Sequence, residues 1–274
     1  MNLPHLKTIE LRSVISDLVK EITPKAIVCF GYASRAIEHI SCFQVFSSEH
    51  HHYDLLFVQS STTLYRDHEI VDLITNRFSS DISVNVLSHS VNSVRLALKE
   101  GDPFFSKIFN EGKILHCEQD AQLNINERNQ TQSNDEPKQR KDYERSFALS
   151  ESFLELASEA LGGNRHDIGL FLLHQSIEQL CIASIKAHLK YRPTTHNILR
   201  LISLVSCYIP AVKDVFPCNT TDEKELFEFL KNAYSDVRYK SCYRVPPHIG
   251  FSLLVRVTEF KTLVESRYKL NSSV

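Results

Sequence analysis

The sequence lacks an excess of charge of either sign, and it lacks a long apolar run. Its 274 residues carry a formal net charge of −2, so no global basic field points to nucleic acid or to an anionic membrane. A local basic patch is still compatible with that total, because net charge does not report how charges are distributed. The N-terminal segment lacks the apolar core of a signal peptide, and no stretch approaches the roughly 20 apolar residues that cross a bilayer. We therefore expect a cytoplasmic protein with no membrane partner.

Closely spaced cysteines are also missing. Of the seven cysteines, no two have Cys-x-x-Cys spacing, so neither a zinc knuckle nor a redox dithiol is indicated. Most are interpreted as lying in apolar runs, as Cys29 and Cys181 do, where a reduced thiol packs like a small hydrophobic side chain. Free, buried cysteines in a reducing compartment are expected.

A polar stretch divides the sequence in two. Residues 118–140 are rich in Gln, Asn and charged residues and lack apolar periodicity, so they cannot bury enough surface to offset their ordering entropy. We predict a first domain over 1–117, a linker over 118–140 and a second domain over 141–274. A polar linker of this kind would let the two domains rearrange.

The first half alternates helix-like and strand-like segments. Apolar periodicity predicts a helix over 5–21, and a short apolar run predicts a buried strand over 26–30. A helix is expected to begin near Ala33, after Gly31. Further segments predict strands over 53–58 and 82–87 and helices over about 66–78, 90–99 and 103–110. This order is typical of an α+β domain with a small mixed sheet.

Only helical patterns follow the polar stretch. Gly162-Gly163, Pro193 and Pro210 separate amphipathic segments and act as helix ends or breakers. The predicted helices run over about 142–161, 166–190, 196–208, 221–237 and 247–268. The second half is therefore predicted to be an all-α bundle.

The segment around Gly31 and Asp54 resembles the minimal nucleotidyltransferases of the polymerase-β superfamily. In that family a strand runs into a Gly-Ser turn and a helix, whose N-terminus binds phosphate. The next strand carries an Asp-x-Asp pair that binds two metals. The resemblance covers about 5–117 and implies nucleotide binding. The candidate nucleotide-binding residues are Gly31, Tyr32, Ser34, Arg35 and Asp54.

The sequence departs from that family at the metal ligands. The Gly-Ser pair is Gly-Tyr here, and Asp-x-Asp is His-Tyr-Asp, which ends at Asp54. On the third strand the carboxylate position holds Asn85 or a neighbour such as Ser83. Asp54 is the remaining candidate metal ligand, and magnesium is expected only if this domain retains activity. The histidines at 50–52 are interpreted as a solvated strand entrance, because consecutive strand residues point to opposite faces.

The second half resembles HEPN domains over about 140–268. The string FLLHQSIEQL at 171–180 is similar to the second helix of that family. RPTTHNIL at 192–199 is similar to its turn into the next helix, and DVRY at 236–239 is similar to a late segment. The resemblance implies a homodimer formed through the helical domain. It also implies a kinship with metal-independent ribonucleases, which use an arginine followed a few residues later by a histidine.

That ribonuclease motif is incomplete here. Arg238 is present, but Tyr243 stands where the histidine is expected. An arginine binds phosphate through two parallel hydrogen bonds, whereas a tyrosine, with an ordinary pKa of about 10, is a poor general base at neutral pH. Arg238 and Tyr243 are the candidate catalytic residues if the domain is an enzyme. A binding site, or an interhelical hydrogen bond between them, is the preferred interpretation.

Basic and aromatic side chains are interleaved around the incomplete motif. Single-stranded nucleic acid and nucleotides bind such surfaces through phosphate contacts and base stacking; a solvated, tyrosine-rich helix end is the alternative. The candidate RNA- or nucleotide-binding residues are Arg238, Tyr239, Lys240, Tyr243 and Arg244. Separately, His174 and Glu178 lie one helical turn apart, and we expect them to form a hydrogen-bonded pair packed between helices.

Together these features predict a nucleotide- or RNA-binding regulatory protein of a bacterial stress or defence type. The helical half would dimerise and bind, and the first half would act as a pseudoenzyme that senses nucleotides. The first alternative is an enzyme: a ribonuclease that uses Arg238 with Tyr243 or a nearby histidine, or a residual nucleotidyltransferase at Asp54. Metal dependence separates these two enzymes. The second alternative is a non-catalytic interaction scaffold.

Overall fold

The computed structural model describes residues 5–40, 42–43, 45–60, 65–77, 81–121, 123, 136–218 and 220–272. The chain divides into two compact units, Met1–Ser133 and Asn134–Val274. The division falls inside the stretch predicted as a linker, 118–140.

The first unit is built around a four-stranded mixed sheet in the order β3-β2-β1-β4. β2 and β3 are parallel, and the other neighbouring pairs are antiparallel. The predicted α+β class with a small mixed sheet is therefore confirmed. The elements are α1 (His5–Ile22), β1 (Ala26–Ile40), β2 (Val45–Gln59), α2 (Asp67–Thr75), β3 (Ile82–Ser90), α3 (Val91–Lys99), α4 (Pro103–Glu111) and β4 (Lys113–Cys117).

The helix predicted to begin near Ala33 is wrong. β1 continues as a strand to Ile40 and pairs with β2 in a long antiparallel hairpin, interrupted by a register shift between Cys29 and Gly31. Alanine, arginine and glutamate in this segment favour a helix by intrinsic propensity. Pairing with β2 overrides that preference, because it supplies the backbone N–H and C=O groups of β1 with hydrogen-bond partners.

The core of the first unit lies between one face of the sheet and the helices α1 and α2. Alternate strand positions contribute to it, as the pleat of a strand requires. The fully buried members from the strands are Ile27, Cys29, Tyr53, Leu55, Phe57 and Val86, and those from the helices are Leu11, Leu18, Ile70 and Ile74. The intervening positions of β2 and β3 point to the other face, where several side chains are polar.

Helices are the only regular secondary structure among the described residues of the second unit. This confirms the predicted all-α bundle. The four-residue α8 was not predicted, because it is too short to show an apolar period. The helices are α5 (Glu136–Gly162), α6 (His166–Leu189), α7 (Ile198–Ser206), α8 (Val212–Val215), α9 (Thr221–Tyr239) and α10 (Pro247–Ser272). α5 thus begins inside the range that the composition predicted as linker.

Helix α6 is the central element of the second unit and packs against α5, α7, α9 and α10. Gly169 on α6 and Gly250 on α10 both approach Leu161 so closely that a Cβ atom would overlap its side chain. By length and composition α6 could cross a membrane, but its most apolar window is 67% buried inside the unit. The expectation that no stretch approaches a membrane-spanning length is therefore wrong for α6, whose burial is that of a core helix.

All seven cysteines lie in the described residues, and two of them, Cys29 and Cys181, are buried. The other five are exposed, so the expectation that most cysteines pack in the core is wrong. Burial, followed by the charge of Asp54, raises the pKa of the Cys29 thiol to about 12. Burial also raises the pKa of Cys181 well above its ordinary value.

Candidate functional site

Gly31, Asp54 and Asn85 lie side by side on β1, β2 and β3, where each is the register partner of the next. Nδ2 of Asn85 donates a hydrogen bond to Oδ1 of Asp54 across 3.1 Å, and both side chains are buried. A Cβ atom at position 31 would overlap Oδ2 of Asp54. The sheet therefore brings together three positions that the sequence had singled out on separate segments.

Two histidines of β2 extend this polar row. Nε2 of His52 lies 3.5 Å from Oδ1 of Asp54, and its Nδ1 lies 2.8 Å from the hydroxyl of Ser83. His50 approaches the same hydroxyl with Nε2, at 3.0 Å. Because a hydroxyl can donate one hydrogen bond and accept others, Ser83 can link the two imidazoles.

The interpretation of the histidines at 50–52 as a solvated strand entrance is wrong. His51 points to the opposite face and is 1% exposed, with Nδ1 2.9 Å from the hydroxyl of Tyr32. His52 has 16% of its side chain exposed. The expected alternation of faces is present, but His51 is buried on one face and His52 is largely covered on the other.

The predicted nucleotide-binding residues do not share one surface. Alternation along β1 places Gly31 and Arg35 on the face of Asp54, and Tyr32 and Ser34 on the opposite face. No helix begins after Gly31, so the backbone N–H groups of a helix N-terminus, which would hold phosphate, are not present at this point. Nucleotide binding by these five residues stays a prediction.

The residues around Asp54 do not fit a magnesium ion. Magnesium prefers several oxygen ligands, whereas Oδ1 of Asp54 faces the amide donor of Asn85 and the imidazole of His52. Among the described residues, no three His, Cys, Asp or Glu side chains are grouped so that they could hold a metal. The register partner of Asp54 on β3 is Asn85, an amide in place of a carboxylate, so these residues give no support to two-metal phosphoryl transfer.

In the second unit, α6 and α9 enclose a buried polar pair. His174 and Glu178 are 2% and 3% exposed. Nδ1 of His174 donates a hydrogen bond to the carbonyl of Leu230 on α9 across 2.8 Å, while Nε2 lies 3.8 Å from Oε2 of Glu178. The two side chains pack between helices as predicted, but at 3.8 Å they are too far apart for the hydrogen bond that was expected.

A second imidazole reaches Glu178 from the loop before α7. Nδ1 of His196 lies 2.9 Å from Oε1 of Glu178. The His196 side chain is 67% exposed and the carboxylate is buried, so the pair connects the interior with solvent. The sequence indicated His196 only as part of a turn, and its separation from Glu178 along the chain concealed the contact.

Tyr234 on α9 connects these groups with Arg238. Its ring is nearly parallel to that of His196, at 3° and a centroid distance of 6.1 Å. Cζ of Arg238 lies 3.6 Å from the centroid of the Tyr234 ring, and Nε donates a hydrogen bond to the carbonyl of Tyr234 across 2.7 Å. We call His174, Glu178, His196, Tyr234 and Arg238 the Tyr234 cluster.

Four of the five residues predicted to bind RNA or a nucleotide are exposed at the end of α9 and in the turn that follows. They are Arg238, Tyr239, Lys240 and Arg244. The ammonium of Lys240 forms an ion pair with Asp236 at 2.6 Å. Arg238 and Arg244 form no ion pair with a carboxylate within the described part of the chain. Their guanidinium groups therefore keep their charge available to a ligand.

Tyr243 differs from the other four. It is partly buried, and its hydroxyl has no hydrogen-bond partner among the described residues. Burial, followed by the charges of Asp236 and Asp167, raises its pKa to about 12. The hydrogen bond considered between Arg238 and Tyr243 is therefore not formed. At neutral pH a phenol with this pKa is ionised even less than an ordinary tyrosine, so it is a poorer general base there.

The segment that contains the Tyr234 cluster matches a known family. The HEPN domain family matches over residues 143–262, which extend from α5 into α10. Residues 143–262 form a HEPN domain. The resemblance seen in the sequence is thus confirmed, and a HEPN domain points to a function related to nucleotides or RNA.

The other comparisons are less informative. The chain is similar to a nucleotidyltransferase-like protein from Exiguobacterium sibiricum 255-15, known from a crystal structure, with 10% sequence identity and a TM-score of 0.30. The alignment covers 96% of this chain and 79% of that protein. No curated protein matches the chain significantly.

Proposed function

We propose that this chain binds RNA or a nucleotide through its HEPN domain. The observation that carries the proposal concerns the guanidinium of Arg238, which is held in place but, in the part of the chain that the structure describes, is not paired with a carboxylate. Its guanidinium is held by the Nε bond to the Tyr234 carbonyl and by the Tyr234 ring, yet it has no carboxylate partner among the described residues. An exposed arginine fixed in this way is suited to bidentate binding of phosphate, because less rotamer entropy is lost when the ligand arrives.

Neighbouring side chains supply the other contacts that such a ligand needs. Tyr239 is 77% exposed, and Cζ of Arg238 lies 5.0 Å from the centroid of its ring. An exposed tyrosine beside a phosphate-binding arginine offers a stacking surface for a base. Lys240 and Arg244, both exposed, add positive charge to the same turn, which favours an anionic polymer.

The proposal is one of binding without nucleotidyl transfer. Beside Asp54 the third strand carries Asn85 in place of a carboxylate, and we propose a regulatory or nucleotide-sensing role for the first unit. RNA cleavage is the second candidate function, because His196 places an imidazole against the same ring as Arg238. A HEPN ribonuclease would then not depend on Tyr243.

Binding is tested by calorimetry with an eight-nucleotide single-stranded RNA and with ATP, each with and without magnesium. Arg238→Ala should weaken RNA binding by about tenfold or more, since a hydrogen bond to a charged group contributes about 1.5–3 kcal/mol. The slope of log affinity against log salt concentration should fall by about one, the value for the loss of one phosphate contact. The exposed Arg145 on α5 supplies a matched control, and Arg145→Ala should bind as the wild type does.

Other results would redirect the proposal. RNA affinity that Arg238→Ala leaves unchanged would overturn it. Magnesium-dependent ATP binding that is insensitive to Arg238 would return the function to Asp54 and the first unit. The absence of heat with either ligand would favour an interaction scaffold.

The cellular setting proposed for this function follows from the family resemblance. We propose a cytoplasmic protein of a bacterial stress or defence system that dimerises through the HEPN domain. Light scattering coupled to size exclusion should give twice the 31.5 kDa mass of the chain. A monomeric mass at all concentrations would argue against the dimer.

A further inference from the structure

We propose that the first unit binds a short acidic peptide, which adds as a strand to the outer edge of β4 in the groove between β4 and α1. Such a site goes beyond the proposed function, because it does not involve the HEPN domain. It lies at the end of the sheet that carries β4, on residues that the sequence did not single out.

One wall of the groove is a single face of α1. The groove has a volume of about 500 Å³, which lies in the range of ligand pockets, roughly 300–1,000 Å³. The residues of α1 that line it are Arg12, Ile15, Ser16, Val19 and Lys20. Their spacing of three and four residues places all five on the same face of the helix.

The other wall of the groove is the edge of β4. Four consecutive residues, 113–116, line it, whereas successive side chains of a strand point to opposite faces of the sheet. A space that contacts all four therefore runs along the strand and not over one face of the sheet. The groove thus lies between a helix and the edge of a sheet.

The outer edge of β4 is open to a further strand. β4 is the last strand of the sheet and pairs with β1, and within the described residues no backbone hydrogen bond joins 113–117 to α1. Every other residue of an edge strand directs its N–H and C=O groups outward, where an extended peptide can pair with them. β4 has five residues, so the paired part of the peptide should be of similar length.

The charges of the groove favour an acidic partner. Arg12, Lys20 and Lys113 line it, and no carboxylate does so among the described residues. Arg12 and Lys113 form no ion pair in that part of the chain. Lys20 lies 3.4 Å from Asp17 in an exposed ion pair, which contributes little. Pairing with β4 of a second copy is disfavoured, because it would bring like charges together.

Apolar side chains share the groove with these cations and favour a peptide over RNA. Ile15, Val19, Ile114 and Leu115 line it, and Ile114 is 51% exposed. Aliphatic side chains of a bound peptide would remove this apolar surface from water. No Phe, Tyr or Trp is among the described residues that line the groove, so a base would find no aromatic ring to stack on. An extended peptide with alternating acidic and aliphatic residues fits both features.

The charge of the site is tested with a fluorescein-labelled peptide of seven residues in which glutamate and valine alternate. Its binding to the full chain is measured by fluorescence anisotropy. A variant with both Arg12→Glu and Lys113→Glu should bind about tenfold more weakly than the wild type, because two attractions become repulsions. The matched control reverses two exposed lysines outside the groove, Lys107→Glu on α4 and Lys213→Glu on α8, and should bind as the wild type does.

Strand addition is tested with two further peptides of the same sequence. One carries N-methyl groups on its glutamates and the other on its valines. Successive N–H groups of a strand point to opposite sides, so only one of the two sets can face β4. Methylation of that set should abolish binding, and methylation of the other set should leave the affinity within about threefold of that of the unmodified peptide.

The results have distinct meanings. No binding of the acidic peptide, or equal binding by the wild type and the charge-reversed variant, would overturn the site. Equal effects of the two methylated peptides would overturn strand addition. Binding of the eight-nucleotide RNA that is lost in the charge-reversed variant, without peptide binding, would assign the groove to RNA instead. Arg238→Ala should bind the peptide as the wild type does, so failure of RNA binding at the HEPN domain would leave this site intact.

Discussion

Gly31 and Asp54 face each other across β1 and β2, and the Asp54 carboxylate occupies the space that a side chain at position 31 would fill. Glycine is therefore required here by the close approach of a neighbouring side chain. Because Asp54 also accepts the amide hydrogen bond of Asn85, displacing it would disturb a contact between β2 and β3 as well.

Gly31→Ala should destabilise the first unit by about 1–3 kcal/mol, the usual cost of overpacking a filled site. The free energy of unfolding is measured with urea and followed by circular dichroism. Gly162→Ala is the control, because a Cβ at that position would meet no atom within 4 Å outside its own turn of helix, and it should cause no loss. Equal stability of both variants would show that Asp54 moves aside freely.

The pKa of His174 predicts how the stability of the HEPN domain depends on pH. Burial lowers this pKa from its ordinary value of 6.5 in the folded state, so below pH 6.5 the unfolded chain binds a proton that the folded chain does not. The contribution of neutral His174 to stability is therefore complete above that pH and is lost as the pH falls. His174→Asn keeps a donor for the Leu230 carbonyl and cannot titrate.

We expect the stability of the wild type to fall more steeply than that of His174→Asn between pH 6.5 and 5. The difference in slope should reach at most about 1.4 kcal/mol per pH unit, the value for one proton. Urea unfolding at several pH values measures it. Burial also lowers the pKa of His188. His188 is present in both proteins, so its effect cancels from the difference in slope. Parallel slopes would mean that His174 protonates equally in both states.

Tyr243→Phe should leave both RNA binding and any RNA cleavage within about twofold of the wild type, since surface or unpaired groups contribute little. The hydroxyl has no partner among the described residues, and a pKa of about 12 keeps it protonated at neutral pH. Calorimetry and a cleavage assay on labelled RNA measure the two quantities. A large loss of cleavage with unchanged binding would restore Tyr243 as a catalytic residue.

The native protein should show two classes of cysteine towards iodoacetamide at pH 8. Cys207 and Cys242 are exposed and should be alkylated rapidly, whereas Cys29 and Cys181 are buried and remain protonated because burial raises their pKa. The thiolate is the reactive form. Mass spectrometry of peptides after timed quenching gives the rates, and denatured protein supplies the control in which all four react. Rapid alkylation of Cys181 in the native protein would contradict the packing of α6.

Local sequence was sufficient to predict a helix and its bounds wherever the apolar residues have a strong period or the helix ends carry clear signals. The helix predicted over 166–190 is α6 to within one residue, and the one predicted over 221–237 is α9, two residues short. A capping box begins α9: the hydroxyl of Thr220 accepts from the N–H of Glu223, and Glu223 in turn accepts from the N–H of Thr220.

Pairing partners distant in the chain decided the features that the sequence did not reveal. The segment after Gly31 has a helix-forming composition, yet it pairs with β2 as a strand of a hairpin. A long ladder of hydrogen bonds outweighs a small intrinsic helix propensity. His51 is buried as well, in contact with the side chain of Tyr32 on β1. The burial of a strand residue depends on its neighbours in the sheet, which local periodicity does not identify.

The sequence by itself determined the two-part organisation, the helical character of the second half and its HEPN kinship, since these depend on composition, periodicity and short motifs. The tertiary structure decided which polar groups meet. Glu178 and His196 lie 18 residues apart, and Leu230 and His174 lie 56 apart. Their contacts exist because α6, α7 and α9 pack around a common core. Helix packing thus places the buried carboxylate of Glu178 beside the imidazole of His196, a contact that no local pattern in the sequence indicates.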